Sequence, residues 1–288
     1  MRKNILKVFS LFFFSLNVFA FDWPQHETAS DSFFSYFGQL RGSTISSSLV
    51  FRDSSDVKAS DSGEVAIYIR EQSDDFGWFE STLGSALVLS HADSIMTVYG
   101  NLDEGTVSSL ILESDHVDTG MFIGESGNSA WQNGENSLEF QVFDVKNSTS
   151  INPRVLMPRV GKELSLNVGD LTLRGKNGAD HRLVWEKYFP SGTYSLYRER
   201  QDVAVPYRTV VAINGATVES ISYDTLSEKN GRLCAGGNDY YPVEVLYPDS
   251  KKQLLANILL TRGHNTLSVT VTDILGASHT LTYNIDVN

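Results

Sequence analysis

Short runs of alternating apolar and polar residues recur along this chain and constrain its fold more than any other feature. The clearest stretch is "HNTLSVTVTDILGASHTLTYNIDV" (264–287), which holds two such runs around a turn. Their apolar faces are Leu267, Val269 and Val271 in the first run and Leu281, Tyr283, Ile285 and Val287 in the second. Side chains of a strand share a face at a period of two. Helical periodicity is scarce, so the sequence predicts an all-β fold.

The carboxy-terminal half contains a second hairpin signal, "YRTVVAINGATVESISY" (207–223), with Asn214-Gly215 at its centre. Asn-Gly between two β-rich runs favours a type I′ turn. Strands of this length predict a small β-sandwich over residues 159–288. The "V-x-V-x-D-x-x-G" pattern at 269–276 resembles the closing strands of bacterial immunoglobulin-like modules. That resemblance implies an Ig-like domain that spaces or docks rather than catalyses.

The first twenty residues predict export. Arg2, Lys3 and Lys7 precede an apolar run, and Val18-Phe19-Ala20 fits a small-x-small cleavage site. We therefore expect a signal peptide at 1–20, a linker at 21–34, and secretion across the inner membrane to the periplasm or cell envelope. An uncleaved amino-terminal anchor is the alternative. No later segment has the length of a transmembrane span, so none is expected after cleavage.

The charge balance argues against nucleic acids and anionic membranes as partners. The chain has 23 Lys and Arg against 35 Asp and Glu, a net charge of −12, and its first twenty residues contribute only basic side chains to it. Nucleic acids and anionic membranes require a basic footprint. The sequence therefore predicts no nucleic-acid partner. Cys234 is the single cysteine and forms no internal disulfide.

Five segments of the amino-terminal half occur in an order that resembles the M23 (LytM/lysostaphin-like) peptidases. They are "SYFGQLR" (35–41), "VKASDSGEV" (57–65), "GSALVLSHADSIMTVYGNL" (84–102), "VDTGMFIGESGNS" (117–129) and "SLEFQVFD" (137–144). The resemblance implies an M23-like β-sheet core of the duplicated hybrid motif type at residues 35–158. It also implies an ancestor that hydrolysed peptidoglycan cross-bridges with a zinc ion held by two histidines and an aspartate.

The residues that such a zinc site needs are missing from the matching positions. The family's first histidine and aspartate correspond to Thr44 and Ser48, and no His, Asp, Glu or Cys occurs between Ser32 and Arg52. The "H-x-H" pair corresponds to Ser137 and Glu139, and a further histidine corresponds to Asn101. Zinc requires three nitrogen, sulfur or carboxylate ligands and an open position. We therefore predict no bound zinc, no other metal and no catalytic residue: a pseudoenzyme.

A groove can persist after its metal is lost, and a few positions are candidates to line it. These are His91, Tyr99, Trp131, Ser137 and Glu139. Trp131 lies on a polar loop, where an aromatic ring offers binding area, although packing over the sheet edge explains it equally well. His91 and Tyr99 fit buried supports of the sheet better than contact residues.

These observations lead to one expected function and two alternatives. The first is an exported, non-catalytic LytM-like protein that binds peptidoglycan or a cell-wall hydrolase, for example as a regulator of an amidase. The second is an M23 endopeptidase with an altered metal site. The third is a purely structural envelope protein whose first domain has no ligand.

Overall fold

A computed structural model describes residues 21–26, 28–70, 81–114, 116–130, 136–159, 161–201 and 205–288. Within these ranges the secondary structure is almost entirely β, and the three α-helices have at most five residues. The predicted all-β class is confirmed. None of the described helices is long and apolar enough to cross a bilayer. The predicted signal peptide lies outside the described residues.

The amino-terminal region, residues 21–158, contains twelve described strands and two α-helices. The strands are β1 (Phe33–Ser35), β2 (Leu40–Arg41), β3 (Thr44–Ile45), β4 (Ser48–Phe51), β5 (Asp56–Lys58), β6 (Gly63–Ile69), β7 (Ser85–Ser90), β8 (Ile95–Leu102), β9 (His116–Val117), β10 (Phe122–Glu125), β11 (Glu139–Asp144) and β12 (Thr149–Ile151). The helices are α1 (Ser109–Glu113) and α2 (Pro153–Leu156).

The carboxy-terminal region, residues 159–288, contains eleven described strands and one α-helix. The strands are β13 (Leu171–Gly175), β14 (Asp180–Arg182), β15 (Tyr188–Phe189), β16 (Gly192–Glu199), β17 (Arg208–Ile213), β18 (Ala216–Lys229), β19 (Arg232–Gly236), β20 (Tyr240–Pro242), β21 (Lys252–Leu260), β22 (Gly263–Thr272) and β23 (Ser278–Val287). The helix is α3 (Val243–Leu246).

One large sheet runs through both regions. Its strands follow the order β15-β23-β22-β17-β18-β12-β11-β8-β7-β6-β9. The link between the regions is the antiparallel pairing of β12 with β18, in which Ile151 is opposite Thr225. The long strand β18 thereby pairs with the edge of β12 that β11 leaves open. The sheet continues across the boundary predicted between residues 158 and 159.

The first hydrophobic core lies under the β4, β11 and β8 part of this sheet. Leu138, Phe140 and Val142 are fully buried in it, as expected from their alternation with polar residues. Tyrosines of the carboxy-terminal region, among them Tyr223 and Tyr247, pack into the same core. The two regions therefore share buried apolar surface as well as a sheet.

Described residues of the segment predicted as a linker, 21–34, pack against this core. Phe21 and Phe33 are buried, and the indole N–H of Trp23 donates to the carbonyl of Pro158 at 2.5 Å. The Phe33 and Phe51 rings meet edge to face, 5.1 Å apart. A solvated linker would leave these three aromatic side chains in water, whereas their burial on the core stabilises the fold.

The second core lies between two sheets of the carboxy-terminal region. A four-stranded sheet, β14-β13-β16-β21, faces the β15-to-β18 part of the large sheet. Leu267, Val269 and Val271 are fully buried there, which confirms the face predicted for β22. The turn at Asn214 and Gly215 has positive φ at both positions, as a type I′ turn requires. This arrangement is a two-layer sandwich, and its kinship with Ig-like modules stays a prediction.

Candidate functional site

Glu139 is the acidic residue at the centre of the positions that correspond to the M23 metal motif. It opens β11, between β4 and β8, and is only 3% exposed. The guanidinium of Arg41 binds both of its carboxylate oxygens, with Nη1–Oε1 at 2.6 Å and Nη2–Oε2 at 3.0 Å. A bidentate Arg–carboxylate pair is among the stronger charge-assisted contacts in proteins. The hairpin β2–β3 carries Arg41 to this position.

Ser48 joins the same cluster, as its matching position in the metal motif predicts. Its hydroxyl lies 3.2 Å from Arg41 Nη1, and the residue is fully buried at the start of β4. Strand register places it opposite Gln141, whose amide donates to Glu139 Oε1 at 3.2 Å. The structure thus brings Ser48 and Glu139 together through Arg41. We name Arg41, Ser48, Glu139 and Gln141 the Arg41 cluster.

Thr44, the remaining position of the metal motif, is exposed on β3 opposite Arg41. Its hydroxyl contacts the carbonyl of Ile45 at 3.4 Å. Asn101 is buried in a left-handed conformation at φ 61°, which asparagine tolerates well. Neither side chain belongs to the Arg41 cluster.

The Arg41 cluster does not fit a zinc ion. Its only anionic ligand already has both oxygens bound to a guanidinium, and its other oxygen and nitrogen donors are a hydroxyl and an amide. A second cation at this point would be repelled by the positive charge of Arg41. Across the described part of the chain, no group of three or more His, Cys, Asp or Glu residues is placed to hold a metal.

Asn101 has a structural task at the position where the family has a histidine. Its side-chain Nδ2 donates to the carbonyls of Gly127 at 2.7 Å and Ser137 at 2.6 Å. Its Oδ1 accepts from the backbone N–H of Ala130 at 2.8 Å. These bonds tie the chain after β10 to the end of β8. Ser137, predicted as a groove residue, is fully buried here.

His91 and Tyr99 belong to a separate hydrogen-bonded chain. His91 Nδ1 lies 2.8 Å from the Ser62 carbonyl, and its Nε2 lies 2.7 Å from the hydroxyl of Thr97. Thr97 is 3.3 Å from the Tyr99 hydroxyl, which accepts from the Ser60 N–H at 2.7 Å. Burial raises the pKa of Tyr99. Because Tyr99 is fully buried, it cannot line a groove, and it supports the sheet instead.

Trp131, the last of the predicted groove residues, lies outside the described residues. The neighbouring Ser129 and Ala130 are described, and the Ser129 hydroxyl donates to the carbonyl of Leu102 at 3.0 Å. The prediction for Trp131 therefore stays a prediction.

A cleft of about 900 Å³ adjoins the hairpin β2–β3 on the side of the carboxy-terminal region. Leu40 and Thr44 form one wall, and Arg232, Leu233, Val243 and Tyr247 form the facing one. The Tyr247 hydroxyl donates to the carbonyl of Gly38 at 2.5 Å, which holds the two walls together. The cleft is therefore a joint product of both regions, and it includes one position of the former metal motif.

Sequence reasoning missed Arg41 and the second wall of the cleft. Arg41 belongs to the segment "SYFGQLR", which supported the family resemblance, but it was not predicted as a site residue. A usable signal was present, since a carboxylate on a buried strand face needs a compensating partner. The sequence between Ser32 and Arg52 has no histidine or lysine, so Arg41 was a cationic partner to look for.

Comparison with known proteins bears on the region that contains this cluster. Residues 47–153 match the family model described as Peptidase family M23. The chain thus carries an M23-type region, as the resemblance predicted. A second family model, without a descriptive name, matches residues 165–288.

A curated relative matches only a short stretch. An uncharacterized protein of Treponema pallidum (strain Nichols) is 36% identical over 53 residues, which is 18% of this chain. The match spans 36% of the length of that relative.

Several solved structures are similar at low overall scores. The complex of SpoIIIAH and SpoIIQ gives a TM-score of 0.36 at 21% identity, covering 46% of this chain and 97% of that one. The catalytic domain of the prophage-encoded M23 protein EnpA from Enterococcus faecalis gives 0.31 at 19%, covering 42% and 86%. A zinc-containing peptidase from Vibrio cholerae gives 0.33 at 19%, covering 43% and 36%. The assignment of residues 47–153 rests on the family model.

Proposed function

We propose that this protein is an exported, non-catalytic M23-type protein of the cell envelope. It binds a peptidoglycan-associated partner, such as a cell-wall hydrolase that it regulates, or peptidoglycan itself. It works without zinc. The predicted signal peptide supports the location, and the net charge of −12 disfavours nucleic acid as the ligand.

The bidentate contact of Arg41 with Glu139 is the observation that carries this proposal. It places a fixed positive charge against the one carboxylate that remains at the metal positions. A zinc peptidase needs three protein ligands and a polarised water. Here a serine, a threonine and an occupied glutamate stand at those positions, so hydrolysis has no activated nucleophile.

The cleft beside the hairpin β2–β3 is where we place the partner. It is open to solvent, unlike Ser137 and Glu139, which are buried. Its mixed lining of apolar side chains and charged groups suits an extended peptide segment of a protein partner. The carboxy-terminal region then contributes directly to binding by supplying one wall.

The first test measures metal and hydrolysis together. The purified protein is dialysed against zinc, and the bound metal is counted by mass spectrometry, with Glu139→Gln as the matched variant. We expect far less than one zinc per chain for both proteins, and no products from muropeptides. Stoichiometric zinc that disappears in Glu139→Gln, accompanied by muropeptide cleavage, would establish the altered-site peptidase instead.

The second test measures binding. The protein is incubated with isolated sacculi and, separately, with cell-wall amidases, whose activity is recorded. Thr44→Arg and Ser250→Arg place bulk and charge on opposite walls of the cleft, and the exposed Thr193→Arg is the control. We expect retention or amidase stimulation for the wild type and the control, with loss in both cleft variants. No retention and no stimulation by the wild type would leave only a structural role.

A further inference from the structure

The strand β23 has an open edge over most of its length. It pairs with β22 on one side, from Ser278 to Val287, without a register shift. On its other side β15 pairs only with Asp286 and Val287. Residues 278–282 and 284 are exposed. Seven consecutive residues, 278–284, therefore form one border of the large sheet.

The direction of the backbone groups on this border follows from the hydrogen bonds to β15. The N–H of Asp286 donates to the Lys187 carbonyl at 2.7 Å, and the N–H of Asn288 donates to Phe189 at 3.0 Å. Even-numbered residues of β23 thus direct their backbone N–H and C=O groups away from β22. By the same alternation, the backbone groups of residues 278, 280, 282 and 284 point outward. Within the described ranges no strand pairs with them.

This border lacks the features that normally keep sheet edges apart. Exposed edges are usually protected by charged side chains, proline, a bulge or a covering loop. The stretch "SHTLTYN" (278–284) has no Lys, Arg, Asp, Glu, Pro or Gly, and its register is regular. Leu281 is 40% exposed on the core-facing side of the strand. In a chain of net charge −12, this neutral and partly apolar edge stands apart.

We propose that β23 pairs antiparallel with β23 of a second copy of this chain, around a two-fold axis at Leu281. The seven free residues are centred on Leu281, so this axis uses the whole open edge. Thr280 then lies opposite Thr282 of the second copy, and both have outward backbone groups that exchange N–H···O=C bonds. This inference is independent of the proposed function.

The side chains are self-complementary in this register. Leu281 meets Leu281 of the other copy, and His279 lies beside Tyr283, so no like charges are brought together. On the opposite face, Thr270 contacts Thr280 and Ser268 contacts Thr282 through hydroxyl pairs. That hydroxyl ladder continues across the two copies.

Each end of the open edge carries an exposed apolar side chain, and the two-fold axis brings the opposite ends of the two copies together. Tyr188, on β15 next to Asp286, is 76% exposed, and Leu275, in the turn before β23, is 49% exposed. The two-fold axis brings the turn of one copy beside β15 of the other. Each end of the paired strands is then covered by a Tyr188 and Leu275 contact, which removes apolar surface from water.

Cysteine cross-linking tests the register. Leu281 occupies a non-hydrogen-bonded position, where opposed Cα atoms lie about 4.5 Å apart, within the reach of a disulfide. We expect Leu281→Cys to form a covalent dimer under mild oxidation. In Thr282→Cys the two sulfurs are offset along the strands, so cross-linking falls at least tenfold. The native Cys234 is buried and stays unreacted. Equal rates for the two variants would refute the register.

Sedimentation over a range of concentrations tests the pairing itself. The wild-type protein is expected to shift from the monomer mass to twice that mass as its concentration rises. Leu281→Lys and Leu281→Glu each place like charges across the axis and should stay monomeric, while an equimolar mixture of the two should recover the dimer. Leu259→Lys, on the exposed face of β21, is the control and should dimerise. A wild type that stays monomeric throughout, or a mixture that does not recover, would overturn the proposal.

Discussion

Among the described residues, each region buries one glutamate to the same extent, but the two regions stabilise it differently. Glu139 and Glu219 are both 3% exposed. Glu139 is bound by a guanidinium from a hairpin 98 residues away in sequence. Glu219 is held by neutral donors: the N–H groups of Ser220 at 2.9 Å and Asn238 at 2.8 Å, and the hydroxyl of Tyr241.

The difference shows what each carboxylate does for the fold. Around Glu219, three converging donors satisfy the charge and fix the loop between β19 and β20, so no cation is needed. Around Glu139, a full positive charge has been supplied, and Arg41 remains 35% exposed in its side chain. A cation in contact with solvent can be rehydrated when its partner is lost, whereas buried neutral donors cannot. Loss of the carboxylate should therefore destabilise the fold more at Glu219 than at Glu139.

The largest expected effect is the loss of Glu219. Glu219→Ala leaves the Tyr241 hydroxyl and two N–H groups without their acceptor, at a cost of about 3 kcal/mol in the free energy of unfolding. Glu139→Ala should cost only about 1 kcal/mol because Arg41 turns to water. Urea denaturation measures both, with the exposed Glu228→Ala on β18 as the control. A larger loss for Glu139→Ala would mean that the charge pair is the main anchor of the fold.

A smaller expected effect is the coupling energy between Arg41 and Glu139, which a double-mutant cycle measures apart from their other contacts. The double-mutant cycle of Arg41→Met and Glu139→Gln should give a coupling energy of about 1 kcal/mol, since bidentate geometry is offset by partial exposure. The coupling should weaken in molar salt, because Arg41 is accessible to ions. The cycle of Tyr241→Phe and Glu219→Gln is the neutral counterpart. A salt-independent coupling at Arg41 would contradict its description as a solvent-accessible charge pair.

The sequence alone predicted what depends on local pattern. The buried faces of β11 and β22 and the turn at Asn214 follow from residue alternation and turn chemistry, which act over a few neighbours. The identity of Ser48 and Glu139 as positions of one cluster followed from the ordered resemblance. Both kinds of prediction need no knowledge of distant contacts.

The features that the sequence did not predict depend on contacts between remote residues. Arg41 reaches Glu139 because the hairpin of β2 and β3 carries it there, and no local pattern encodes that. The pairing of Ile151 with Thr225 joins strands that are far apart in sequence. The aromatic residues of the segment 21–34, predicted as a linker, show no period in the sequence. Its place on the core is decided by surface that the rest of the chain provides.

The smallest effect concerns pH and distinguishes the two glutamate sites once more. Burial, followed by the adjacent Glu219, raises the pKa of Tyr241 above its ordinary value of 10. The folded state then holds this proton more tightly than the unfolded state, so its contribution to stability is complete below pH 10 and is lost as the pH rises toward the folded pKa. At the other site, Glu139 is bound by the guanidinium of Arg41.

Tyr241→Phe should therefore flatten the decline of stability above pH 10 by at most about 1.4 kcal/mol per pH unit. It should also lower stability at neutral pH, through the lost bond to Glu219. Denaturant melts from pH 8 to 11 measure both changes, and Tyr188→Phe, at an exposed position, is the matched control. Other buried tyrosines, including Tyr223 and Tyr247, keep a residual slope because burial also raises their pKa values. If the stabilities of Tyr241→Phe and of the control fall in parallel as the pH rises, the proton of Tyr241 is not linked to folding. The description of Glu219 as a carboxylate held by neutral donors would then have to be revised.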